Sequence, residues 1–102
     1  MRTSLSERID QLALVWLVVP RKESRLNGFV SQLKQLATGA EDRKELARDS
    51  IERLRKNRLV EEGALLKLTD EGRRRALEVL GVAKLPQGRG TLQWAKKVLL
   101  LR

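Results

Sequence analysis

The stretch 45–81 constrains the fold most, because its pattern of apolar residues changes twice along a short length of chain. Apolar residues recur at three- and four-residue spacing from Ala47 to Leu54, which predicts an amphipathic helix. Two short apolar runs, 59–60 and 65–68, then flank a predicted turn over 61–64 that contains Gly63, a pattern typical of a β-hairpin. Thr69 can cap a further helix, and that helix opens with two acids near the positive end of its dipole. The stretch therefore predicts helix, strand, turn, strand and helix.

Two segments within this stretch carry a family resemblance. NRLVEEG at 57–63 and LTDEGRRRAL at 68–77 resemble the second half of a winged helix-turn-helix domain. They are most similar to the multiple-antibiotic-resistance-type and phenolic-acid-type bacterial transcriptional regulators. The resemblance implies a mainly α fold with a small β-hairpin wing, a winged helix-turn-helix with an extra C-terminal helix. It also implies that the third helix of the chain is the DNA-recognition helix.

The rest of the chain is predicted to be helical. Ser4 and Glu7 form a capping box ahead of the first helix, and Pro20 should end that helix because the residue before a proline avoids helical geometry. The first helix is apolar nearly all round, so we expect Trp16 to be a core residue rather than a platform for stacking bases. The five predicted helices are 6–19, 25–37, 41–57, 70–80 with Gly81 as its cap, and a last helix after Thr91.

The length of 102 residues is enough for one hydrophobic core and too short for two. We predict a winged helix-turn-helix domain over 1–82, a linker over 83–90 and a C-terminal helix over 91–102 that serves dimerisation or docking.

Composition excludes several kinds of site. The chain has no cysteine and no histidine, which excludes Cys/His zinc sites, disulfides and a Ser-His-Asp triad. Its carboxylates lie among lysines and arginines, where ion pairing is the simpler role, and no serine sits in a nucleophile elbow. We therefore expect no enzyme activity, no metal and no cofactor. The apolar run 12–19 is far shorter than a bilayer span and does not form a signal peptide, so we expect a cytoplasmic protein without membrane association.

The charge balance points to a polyanionic partner. The formal net charge is +9, of which residues 52–102 contribute +7 and residues 1–51 contribute +2. A strongly basic chain is typical of nucleic-acid-binding proteins, although a basic surface also serves solubility. Together with the resemblance, the charge favours duplex DNA as the partner.

Three groups of basic residues are candidates for DNA contact. They lie near the start of the second helix, along the third helix and in an arginine run on the fourth. A helix in the major groove would use such side chains on phosphates and base edges. Acids share the third helix at four-residue spacing, however, so a solvated, ion-paired face is the alternative. The predicted DNA-binding residues are Arg21, Lys22, Arg25, Arg43, Lys44, Arg48, Arg55, Arg73 and Arg74.

The last helix carries more apolar residues than one narrow stripe needs. Its predicted interface consists of Trp94, Val98, Leu99 and Leu101. These residues could form a dimer seam, as terminal helices do in the resembling regulators, or dock on the first helix. The chain could also be the front piece of a longer protein.

Two functions follow from these features. The first is a DNA-binding, transcriptional-regulator-like protein that contacts duplex DNA through the third helix and its basic flanks. The alternative is a winged-helix protein-interaction module within a larger assembly, and the mixed charge of the third helix favours that alternative.

Overall fold

A computed structural model describes residues 4–19, 24–35, 40–85 and 90–100. Within them the chain is mainly helical and contains one two-stranded antiparallel hairpin, which confirms the predicted α-rich fold with a β-hairpin. The elements are α1 (Leu5–Val18), α2 (Leu26–Gln32) with a 3-10 turn (Leu33–Gln35), α3 (Ala40–Lys56), β1 (Val60–Glu62), β2 (Leu66–Leu68), α4 (Asp70–Leu80) and α5 (Thr91–Leu100).

Helix α1 lies at the centre of the core. It contacts α3, α4, α5 and β2, and Ile9, Ala13 and Val15 are fully buried. A helix that is apolar on most of its surface is buried on most of its surface, as the sequence predicted. Trp16 is also buried, and its ring lies 5.8 Å from that of Phe29 at a tilt of 31°. The prediction that Trp16 is a core residue is confirmed.

Local capping signals set the ends of α1 and α4. The Ser4 side chain accepts a hydrogen bond from Glu7 N at 3.2 Å, which fixes the start of α1 one residue earlier than predicted. Thr69 Oγ1 accepts from Gly72 N at 3.0 Å, and Gly81 ends α4 in the left-handed conformation with φ 73°. The bounds predicted for α4 are confirmed. Pro20, predicted to end α1, lies outside the described residues.

Helix α2 ends earlier than predicted. The sequence pattern extends it to Ala37, but regular α-helix stops at Gln32 and a 3-10 turn follows. The hydrogen bonding changes at this point, since Leu33 N donates to Val30 O, three residues back rather than four. Residues 36–39 lie outside the described part of the chain.

The hairpin turn begins two residues later than predicted and ends one residue later. Glu61 and Glu62, assigned to the turn from the sequence, belong to β1, and the loop is 63–65. The register places Glu61 opposite Lys67, an attractive cross-strand pair that a turn at Glu61 would forfeit. Leu66 N also donates to Ser24 O at 2.6 Å, which ties β2 to the segment before α2.

The start of α4 packs tightly on the connection between α3 and β1. Thr69 N donates to Leu59 O at 3.0 Å, and Thr69 Oγ1 donates to Arg58 O at 2.7 Å. Gly72 lies directly against the same connection, since a Cβ atom on it would fall 2.0 Å from Leu59 O. This backbone crossing holds the start of α4 against the α3–β1 connection.

Helix α5 packs on its own chain. It contacts α1 and α4, Ala95 is fully buried, and Trp94 and Val98 are half-buried against the core. Among the described helices, none has both the length and the apolar character that crossing a bilayer requires.

Candidate nucleic-acid interface

One side of α3 forms a solvent-facing stripe that carries much of its basic charge. Ala47 and Ile51, three and seven residues after Lys44, are buried, so the stripe runs directly beside the packed face of the helix. Lys44, Arg48 and Arg55 are exposed and are spaced by four and seven residues, which places them along one line of the helix surface. These three residues, with Glu52 between the last two, are called here the α3 stripe.

The charges of the α3 stripe differ in availability. Arg55 is held by Glu52 through hydrogen bonds of 2.5 and 3.1 Å, and this bonding lowers the pKa of Glu52. Lys44 and Arg48 have no ion pair within the described residues. Arg43 lies one residue before the stripe and is half-buried, at the edge of the packed face. Lys44 and Arg48 therefore carry the open charges of the stripe, meaning charges without an ion pair within the described residues.

Arg53, another basic residue of α3, forms an ion pair with α1. Arg53 donates to both carboxylate oxygens of Asp10, at 2.9 and 3.1 Å, and Ser50 Oγ donates to the same carboxylate at 2.6 Å. The hydrogen bond to Asp10 raises the pKa of Arg53. This network joins α1 to α3 and was not predicted from the sequence. The available signal was Ser50 itself, a polar residue on the apolar line between Ala47 and Leu54.

Replacing Asp10 by alanine should destabilise the protein by about 1–3 kcal/mol, because the buried Ser50 hydroxyl loses its acceptor and Arg53 loses its ion pair. Asp10→Asn, which keeps an acceptor oxygen, should lose less. Glu45→Ala, which removes an exposed acid of α3, serves as the control and should change stability by less than about 0.5 kcal/mol. Thermal unfolding of the three variants measures the difference, and equal stability of Asp10→Ala and Glu45→Ala would contradict the role of the network.

The arginine run on α4 is exposed but only partly available. Arg74 is held between Glu71 and Glu78, and its hydrogen bond lowers the pKa of Glu71. Arg75 Nε lies 4.0 Å from Glu78 Oε2. Arg73 is exposed and has no ion pair among the residues that the structure describes. Of the predicted pair on this helix, Arg73 is therefore the one with an open charge.

The basic group near α2 is only partly described. Arg25 is exposed and precedes α2, where its carbonyl accepts from Gly28 N and Phe29 N at 3.0 and 3.3 Å. Arg21 and Lys22 lie outside the described residues.

The predicted dimer residues have contacts within the chain. Trp94 and Val98 pack against the core beside the fully buried Ala95. These contacts account for the partial burial of both residues without a second copy. The side chain of Leu99 and the whole of Leu101 lie outside the described part of the chain.

The described residues contain no group of three or more acidic, histidine or cysteine side chains that could hold a metal ion. No protein-family model, no curated protein and no solved structure matches this chain.

Proposed function

We propose that this protein is a winged helix-turn-helix DNA-binding protein of the transcriptional-regulator kind. The order of elements supports this proposal, since α2 packs on α3 and a hairpin directly follows α3 and precedes α4. In such domains the third helix enters the major groove and the hairpin forms the wing. The resemblance of 57–63 and 68–77 to the multiple-antibiotic-resistance-type regulators agrees with that order.

The observation that carries the proposal is the open charge of the α3 stripe. Lys44 and Arg48 are exposed on α3 beside its packed face, and neither is paired within the described residues. A cation without an intramolecular partner is free to replace the counterions of a phosphate, which is the main source of affinity for DNA. Arg48 also has the donor fork that reads a guanine edge.

The remaining charge acts at longer range. The excess of +7 in residues 52–102 attracts a polyanion from any direction and raises the rate of encounter. Arg25 and Arg73, both exposed, are the proposed phosphate contacts outside α3. Phosphate contacts set the position of the protein on the duplex, whereas contacts to base edges provide sequence preference.

Fluorescence anisotropy with a labelled duplex of about 20 base pairs tests this function at low salt. We expect saturable binding to duplex DNA. The absence of binding at the lowest salt would overturn the proposal.

The protein-interaction module is the second candidate, and the ion pairs favour it. Arg53, Arg55 and Arg74 are each bound to carboxylates of the same chain, which withdraws their charge from any external partner. A module of this kind would show no duplex binding in the same anisotropy experiment.

A further inference from the structure

Arg58 has a backbone conformation that arginine rarely adopts. It follows the last turn of α3 and has φ 60°, in the left-handed region. Glycine, and less often asparagine, is the usual residue at this position after a helix, because other side chains crowd the backbone there. Among the described residues, Arg58 is the one non-glycine residue with a positive φ.

The fold determines this conformation through the backbone alone. Arg58 N donates to Arg55 O at 3.0 Å, and Leu59 N donates to Leu54 O at 2.9 Å, so the end of α3 is closed around this residue. Arg58 O accepts from Thr69 Oγ1 at 2.7 Å. None of these hydrogen bonds involves the arginine side chain, so glycine would satisfy all of them.

The Arg58 side chain also lacks a described partner. It is exposed and has no ion pair within the described residues. The nearest acids along the chain are Glu61 and Glu62 of β1. Glu61 is opposite Lys67 in the hairpin, and the charge of Glu62 helps to raise the pKa of Arg55. The guanidinium of Arg58 therefore makes no described contact within the fold. The left-handed backbone conformation disfavours any side chain at this position, arginine included.

The crossing of α4 over this connection brings a second open arginine into the same region. Gly72 lies against Leu59, the residue after Arg58, and Arg73 is the residue after Gly72. Arg58 and Arg73 are both exposed and unpaired among the described residues, and each is the chain neighbour of a residue in the crossing. An unpaired guanidinium on each of the two crossing segments is available to contact phosphate.

We infer that Arg58 contacts a phosphate of bound duplex DNA and that, with Arg73, it extends the interface beyond the α3 stripe to the crossing of α4. This inference rests on the proposed function. The phosphate contact accounts for an arginine at a position where the fold alone favours glycine.

Arg58→Gly tests the inference because stability and binding should change in opposite directions. Glycine relieves the left-handed conformation, so the Tm should rise by about 2–5 °C. Loss of one phosphate contact should weaken duplex binding several-fold and lower the slope of log K against log salt by about 0.9. Lys97→Ala, which removes one exposed charge from α5, is the matched control and should leave both quantities near those of the parent.

The outcomes separate this inference from the proposed function. A parent that binds no duplex overturns both. A parent that binds, with Arg58→Gly binding equally well at the same salt slope, overturns the phosphate contact and leaves the proposed function intact. Arg58→Lys keeps the charge and the strained backbone, so it should retain the parent's salt slope without the gain in Tm. If the slope for Arg58→Lys were as low as that for Arg58→Gly, the inference would also be contradicted.

Discussion

Gly72→Ala is expected to destabilise the protein by about 3 kcal/mol or more, a large fraction of the stability of a small domain. The alanine Cβ would fall 2.0 Å from Leu59 O and 2.9 Å from its carbonyl carbon, and the obstacle is backbone rather than a flexible side chain. The connection cannot move aside easily, because Leu59 O accepts from Thr69 N and Arg58 O accepts from Thr69 Oγ1. Relief of the overlap would separate α4 from the end of α3.

Gly63→Ala is the control for this experiment, since its added Cβ meets only Leu65 O at 3.9 Å. We expect Gly63→Ala to change the free energy of unfolding by less than about 0.5 kcal/mol. Denaturant unfolding followed by circular dichroism measures both variants. A Gly72→Ala protein as stable as the Gly63→Ala protein would show that α4 does not cross the α3–β1 connection as described.

The double substitution Lys44→Ala and Arg48→Ala is expected to weaken duplex DNA binding about tenfold or more at moderate salt, because it removes the two open charges of the α3 stripe. Both residues are exposed, so the fold should be unaffected. If Arg48 also reads a base edge, the preference of the protein among duplex sequences should decrease as well.

The matched control is the double substitution of Lys84 and Lys97 by alanine, which also lowers the formal charge from +9 to +7 and also removes exposed side chains. It should retain most of the parent's affinity. Equal weakening by the two double variants would mean that net charge alone drives binding, and it would remove α3 from the interface.

The elements predicted best from sequence are those with local signals. The bounds of α4 follow from Thr69 and Gly81, because a side-chain cap and a left-handed glycine each act within one helical turn. The burial of Trp16 was predicted because α1 is apolar on nearly all sides, and a helix of that kind is buried in the core. The α-rich composition of the fold follows from the same periodicity.

Features that depend on distant residues were not predicted. The turn of the hairpin was misplaced because the strand pairing extends through Glu62 and Leu66, which no local signal around Gly63 shows. The role of Arg53 depends on Asp10, a residue of another helix that no local pattern connects to it.

Within the candidate site, the sequence showed which residues are basic. It did not show which of them are free of ion pairs within the described residues. Arg55 and Arg74 were predicted to bind DNA on the same grounds as Lys44 and Arg48. In the structure the first two are held by carboxylates of their own helices, whereas Arg48, which also has acids three and four residues away, is not. The left-handed conformation of Arg58 was missed as well, although its position just after a helix was a signal.

The most direct test of the account is the salt dependence of duplex binding, measured by anisotropy for the parent and for the Lys44→Ala, Arg48→Ala double variant between about 50 and 200 mM salt. If each of the two residues neutralises one phosphate, the slope of log K against log salt should be less steep in the variant by about 1.8. Parallel slopes, or a parent whose binding does not respond to salt, would contradict the assignment of the α3 stripe as the DNA-binding surface.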